Sequence, residues 1–158
     1  MHNIIFKMVV TVCLALLLQG AQAQIKTLHD IAHKIPDSLV SNKLIGNATI
    51  KYVDEKYMKE GWNVFSHQPG RFIYTDFKNG IVRGFYVSDT SGRVLAGIFF
   101  GQGPGSYQCT MSVCGCKGDK ECETLFLAAE CKDDLVCVGN TCMCTRPYDL
   151  KEVMKKSR

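Results

Sequence analysis

The chain has 158 residues, of which 46% are hydrophobic and 22% charged, a balance typical of globular proteins. Its formal net charge is +4 at pH 7, and the charges are dispersed, so no basic patch indicates a nucleic-acid partner. The sequence holds no internal repeat and no low-complexity segment, which excludes repeat arrays and disordered tracts.

Residues 1–23 are predicted to form a signal peptide that is cleaved after Ala23. The apolar run Met8–Leu18 is too short to span a bilayer comfortably, and Ala21-Gln22-Ala23 has the small-x-small pattern of a cleavage site. Cleavage removes Cys13 and leaves eight of the nine cysteines. We therefore expect a secreted protein, extracellular or periplasmic, without a membrane span after cleavage. A membrane anchor is the less favoured alternative.

Three short segments before residue 61 show helical signals. Ile25–Lys34 has apolar residues at helical spacing and precedes Pro36, which ends a helix. A second short helical turn is predicted to open at Pro36-Asp37-Ser38 and run through Leu44, and a third from Asp54 to Glu60 with Asp54 as N-cap. His29 and His33 would share one face of the first helix, but they lack an obvious third metal ligand.

The middle of the chain predicts an antiparallel meander. Ile50 and Tyr52 alternate with polar residues, and four further strand-like runs are separated by turn signals such as Asn79-Gly80. The four runs are Trp62–His67, Arg71–Phe77, Ile81–Ser88 and Arg93–Phe100. Predicted core residues are Leu28, Ile31, Ile50, Tyr52, Trp62, Val64, Phe72, Tyr74, Phe85, Val87, Leu95 and Ile98.

These elements predict an α+β fold. We expect the N-terminal helix to pack on a four- to five-stranded antiparallel meander, followed by a small disulfide-rich module. The expected organisation is a sheet domain at 24–105 that ends in the linker Gly101–Gly105, a cysteine-rich module at 106–148 and a charged tail at 149–158. A helix is expected at Asp119–Glu130 within the module.

The cysteine-rich segment is the most informative stretch of the sequence. An even number of closely spaced cysteines in a secreted chain is typical of a disulfide framework, although spacing alone does not fix the pairing. One pair has a local argument, because a hairpin turning at Gly139-Asn140 would place Cys137 opposite Cys142. The predicted half-cystines are Cys109, Cys114, Cys116, Cys122, Cys131, Cys137, Cys142 and Cys144.

A metal site is the alternative for these cysteines. Cys114 with Cys116, and Cys142 with Cys144, form two C-x-C pairs whose four thiolates would suit zinc or Cu(I). Structural zinc sites more commonly use C-x-x-C spacing, so disulfides are favoured and no metal or other cofactor is predicted.

No catalytic motif emerges from the sequence, which contains neither a nucleophile elbow nor a phosphate-binding or dinucleotide-binding fingerprint. The favoured hypothesis is a secreted, non-catalytic binding protein whose partner is an extracellular protein or glycan. A thiolate metal protein and a small secreted hydrolase are the alternatives. Asn47-Ala48-Thr49 is also an N-glycosylation acceptor pattern in a eukaryotic host.

Overall fold

The computed structural model describes residues 28–100, 107–110, 112–127, 131 and 133–146. The predicted signal peptide, the linker Gly101–Gly105 and the tail at 149–158 lie outside these residues. No helix within the described ranges is both long enough and apolar enough to cross a membrane.

Strands dominate the described part of the chain. One helix, α1, spans Asp119–Leu127, residues 28–31 form a helical turn, and 3-10 turns occupy Asp37–Leu39 and Glu55–Tyr57. The strands are β1 (His33–Lys34), β2 (Val40–Ile45), β3 (Ala48–Val53), β4 (Gly61–Gln68), β5 (Arg71–Lys78), β6 (Ile81–Asp89), β7 (Val94–Phe99), β8 (Gln108–Cys109), β9 (Val113–Lys117), β10 (Asp133–Val138) and β11 (Thr141–Thr145).

The first sheet has five strands in the order β1-β4-β5-β6-β7. β4 to β7 form an antiparallel meander, and β1 pairs in parallel with β4. Asn79 and Gly80, at the β5–β6 turn, have φ of 55° and 72°, the left-handed conformation that a tight two-residue hairpin requires. The predicted meander is confirmed, with each strand within about two residues of its expected bounds.

The second sheet has six strands in the order β2-β3-β10-β11-β9-β8. Its strands come from both ends of the described chain, because β3 pairs in parallel with β10. The segments at 24–105 and 106–148 therefore contribute strands to one sheet. The helix expected from Pro36-Asp37-Ser38 through Leu44 is limited to the 3-10 turn Asp37–Leu39. From Val40 onward it is wrong, since β2 forms a hairpin with β3 and Gly46 turns with φ of 56°.

The two sheets pack face to face around one apolar core. Strand alternation directs Phe65, Ile73 and Phe85 of the five-stranded sheet toward Val136 and Met143 of the six-stranded sheet. Most members of this core are less than one-tenth exposed. This sandwich fixes which face of each sheet remains outside.

The fold is mostly β, which corrects the predicted α+β class. The expected helix at Ile25–Lys34 is only partly described: residues 28–31 are helical, but His33–Lys34 is strand β1. The helix expected at Asp54–Glu60 shortens to a 3-10 turn, in which Asp54 accepts a hydrogen bond from the Lys56 amide at 3.0 Å. A second sheet covers the inner face of the meander: β2 forms where helix was expected, and β3, which was predicted as a strand, belongs to this second sheet.

Two predicted core residues are exposed. Ile31 is 68% exposed on the helical turn, and Leu95 points outward from β7. Leu95 and Ile98 are three residues apart, so a regular strand places them on opposite faces, and Ile98 takes the buried one. The predicted residues Ile50, Val64, Tyr74, Phe85, Val87 and Ile98 are buried.

Candidate ligand-binding site

The cysteines lie in a layer on the outer face of the six-stranded sheet. The period of two along a strand places Cys114 with Cys116 on this face and Cys142 with Cys144 beside them, while Met143 faces the core. The C-x-C spacing is therefore the spacing of two half-cystines on one side of a strand.

Four disulfides form within this layer. Cys116–Cys122 ties α1 to β9, and Cys137–Cys142 crosses the β10–β11 hairpin. The other two are Cys109–Cys114 and Cys131–Cys144. Leu125 and Phe126 of α1 pack against the sulfurs, and all the cysteines except Cys109 are buried. The layer acts as a small second core, in a region where helix and sheet alone bury little apolar surface.

The sulfurs form two groups of three rather than the single C-x-C set of the metal alternative. Cys114, Cys131 and Cys144 form one group with all sulfurs within 4.8 Å of one another, and a second group contains Cys116, Cys122 and Cys142. In the disulfide form these sulfurs are not available as thiolate ligands.

Asn47 lies in the β2–β3 turn and is exposed. An exposed turn is accessible to a glycosyltransferase, and glycosylation at this asparagine stays a prediction.

A cleft of about 600 Å³ opens on the outer face of the five-stranded sheet. It lies between the helical turn at 28–31 and the turn that joins β6 to β7. Its lining residues are His29, Asp30, Phe72, Tyr74, Asp89, Thr90, Ser91 and Gly92. The volume falls within the range of small-molecule sites, and the lining combines aromatic rings with a few polar groups.

The floor of the cleft is organised by His29 and Tyr74. The Tyr74 hydroxyl and His29 Nδ1 are hydrogen bonded at 2.7 Å, and the His29 ring meets Phe72 edge-on at 5.4 Å between centroids. Burial raises the pKa of Tyr74, so its phenol stays protonated at neutral pH. The Tyr74 phenol is thus a neutral hydrogen-bonding group, and its bond to His29 fixes its orientation.

The far wall of the cleft is a turn held by Asp89. Its carboxylate accepts hydrogen bonds from Ser91 N at 3.0 Å, from Ser91 Oγ at 2.6 Å, and from Arg93 N and Nε at 3.0 Å. These hydrogen bonds lower the pKa of Asp89, and the bond from the Ser91 hydroxyl makes the largest contribution. Gly92 completes the turn with φ of 80°, so the wall is ordered before any ligand arrives.

Two hydroxyl groups of the cleft are held by hydrogen bonds to neighbouring side chains. The Ser91 hydroxyl donates to Asp89, and the Nδ1 of His29 is bonded to Tyr74. Among the described residues that line the cleft, no hydroxyl is hydrogen bonded to a histidine apart from Tyr74.

A buried charged cluster joins the two sheets at one end of the sandwich. Asp134, 2% exposed, accepts hydrogen bonds from Arg71 Nη1 and, at 2.8 Å, from Thr145 Oγ1. His67 Nε2 lies 3.6 Å from the other carboxylate oxygen. Burial lowers the pKa of His67, while Asp134 opposes this shift and Lys51 and Arg71 add to it.

Sequence patterns did not reveal either polar group. The cleft combines residues from 29–30, 72–74 and 89–92, and Asp134 meets His67 across 67 positions of chain. Only the turn sequence Asp89-Thr90-Ser91-Gly92 drew attention to part of the cleft. It predicted a tight connection between two strands but did not indicate a binding site. His29 and His33 do not form a shared helical face, because His33 lies in β1.

No protein-family model, no curated protein and no solved structure matches this chain in the comparisons.

Proposed function

We propose that this chain is a secreted, disulfide-bonded β-sandwich protein that binds an extracellular ligand without transforming it. The observation that carries the proposal is the cleft of about 600 Å³ with its ordered polar walls. The predicted signal peptide and the four disulfides support an oxidising, extracellular location.

The different packing on the outer faces of the two sheets supports the same proposal. On the outer face of the six-stranded sheet, the sulfurs and α1 pack into the cysteine layer. The outer face of the five-stranded sheet is covered by the helical turn over Val64 and Tyr74, and the cleft opens beside this turn. A ligand that enters there meets aromatic rings and hydrogen-bonding groups.

Native mass spectrometry of protein purified from its own secretion route tests the proposal. We expect a retained ligand on the wild type that is lost from Ser91→Trp, because the indole would fill the cleft. Ser41→Trp is the matched control, since Ser41 is an exposed serine on β2 of the other sheet. Retention by all three proteins, or by none, would overturn the binding proposal.

The same samples separate binding from catalysis. A binding protein releases its ligand chemically intact after prolonged incubation, whereas a hydrolase yields a product with the mass of added water. Intact mass before and after reduction also tests the secreted, oxidised state. We expect a chain that begins at Gln24 and is lighter by about eight hydrogens than its reduced form.

A further inference from the structure

Three aromatic side chains continue the binding face beyond the cleft. Trp62 on β4, Tyr86 on β6 and Phe99 on β7 form what we call the aromatic strip. The Trp62 and Tyr86 rings are nearly parallel, with centroids 5.6 Å apart and an interplanar angle of 25°. Phe99 stands at 81° to Tyr86 with centroids 5.1 Å apart. The strip thus has two parallel rings and one ring set at an angle to them.

Glycines hold two of these rings in place. A Cβ added at Gly84 would lie 2.6 Å from Phe99 Cδ1, and one at Gly97 would overlap the Tyr86 ring. Each ring therefore occupies space against the backbone that only glycine leaves free, a packing known to stabilise strands that contain glycine. Rings fixed in this way lose little conformational entropy when a ligand stacks on them.

The strip remains accessible and carries a carboxylate. Phe99 is 51% exposed, and Trp62 and Tyr86 are partly exposed. Asp76 on β5 pairs in register with Trp62 on one side and Gly84 on the other, so it lies in the middle of the strip. Among the described residues, Asp76 has no ion-pair partner, which leaves its oxygens free to accept hydrogen bonds.

The strip begins beside the cleft on the same face of the five-stranded sheet. Tyr74, which lines the cleft, is directly opposite Tyr86 in the β5–β6 register. A ligand longer than one ring can therefore stack on the strip and reach the polar groups around His29 and Ser91.

We propose that the ligand of this face is a β-linked pyranose oligosaccharide, an inference that rests on the binding function proposed above. Equatorially substituted pyranose rings present flat faces of C–H groups to aromatic rings, and their hydroxyl groups at the rim donate to carboxylates. Asp76 beside Trp62 and Tyr86 supplies this combination.

The intrinsic fluorescence of Trp62 tests this directly, because Trp62 is the single tryptophan of the chain. The full secreted protein is titrated with a β-1,4-linked glucose hexamer, a β-1,4-linked N-acetylglucosamine hexamer and an α-1,4-linked glucose hexamer. We expect a saturable change in emission with at least one β-linked hexamer, and weaker or no binding of the α-linked one.

Variants locate the binding. Phe99→Ala and Asp76→Asn should each weaken binding by about fivefold, the range for one stacking or hydrogen-bonding contact. Tyr107→Ala is the matched control, since Tyr107 is a 48% exposed aromatic residue preceding β8 in the other sheet. Equal weakening by the control would overturn the assignment to the strip.

The outcomes distinguish this inference from the binding function itself. If neither fluorescence nor titration calorimetry detects binding of any hexamer, the saccharide inference fails. The binding function would still stand in that case if Ser91→Trp abolishes retention of another ligand in native mass spectrometry. A saturable Trp62 response to choline without a response to the hexamers would also overturn it. Failure of both experiments would remove the binding function as well.

Discussion

At the scale of single residues, His67 makes the stability of the folded protein depend on pH. Its pKa is lowered by burial at 8% exposure, so the folded protein keeps it neutral at pH values where the unfolded chain binds a proton. Because the unfolded state then holds more protons, the contribution of His67 to stability is present above a pH of about 6.5 and is lost as the pH falls.

We therefore predict that the free energy of unfolding decreases from pH 7 to pH 5, and that His67→Gln reduces this slope. Urea denaturation at a series of pH values measures it. His33→Gln is the comparison, since burial also lowers the pKa of His33 but this side chain is less buried. An unchanged slope in His67→Gln would show that His67 does not cause the dependence.

Asp134 should be the most sensitive carboxylate for stability. Asp134→Ala removes the acceptor of Arg71 and Thr145 inside the sandwich, and we expect a loss of about 2–3 kcal/mol in the free energy of unfolding. Asp54→Ala, which breaks an exposed pair with Lys56, should cost clearly less. Equal losses in chemical denaturation would contradict the importance of the buried cluster.

At the scale of elements, α1 is attached to β9 by one disulfide and packs Leu125 and Phe126 against the cysteine layer. Its nine residues are too short to be a stable helix alone, and Cys116–Cys122 holds it against β9. The double variant Cys116→Ala/Cys122→Ala should lose about 2–3 kcal/mol of stability, from the entropy of a short closed loop.

Hydrogen exchange distinguishes a local effect of the Cys116–Cys122 bridge on α1 from a general loss of stability. In the double variant we expect faster exchange of the α1 amides. The control variant Cys109→Ala/Cys114→Ala removes a bridge that closes a loop of similar length, with sequence separation 5 against 6, but that ties β8 to β9 instead of α1. This control should leave α1 protected, and loss of protection in both variants would mean that α1 depends on the layer as a whole.

At the scale of the whole molecule, the sandwich makes the two halves of the chain interdependent. The β2–β3 hairpin joins the C-terminal strands through the pairing of β3 with β10, and Val136 and Met143 cover the inner face of the five-stranded sheet. We predict that residues 24–105 expressed alone do not fold cooperatively, because Phe65, Ile73 and Phe85 would lose their cover.

Thermal unfolding and NMR of 24–105 beside 24–158 test this prediction. The longer chain should give dispersed amide signals and a single transition, and the shorter one should give collapsed signals and no clear transition. A dispersed spectrum from 24–105 would instead show an independent sheet domain.

The sequence alone determined those features that depend on residues close together in the chain, namely turns, strands and the presence of disulfides. Asn79-Gly80 predicted its hairpin because both residues tolerate positive φ, and alternation predicted the strands around Phe85 and Val87. The density of cysteines predicted a disulfide framework, and the Gly139-Asn140 turn suggested the Cys137 partner that the structure bonds to it.

Only the tertiary structure decided which faces meet. Alternation identifies two faces of a strand but not which is covered, so Trp62 was expected in the core and lies on the outer face beside Tyr86. The pairing of β3 with β10, the cleft beside His29 and the contact of His67 with Asp134 join residues far apart in the chain. Such contacts depend on how two sheets with several available partners share one core, and a local pattern does not encode that choice.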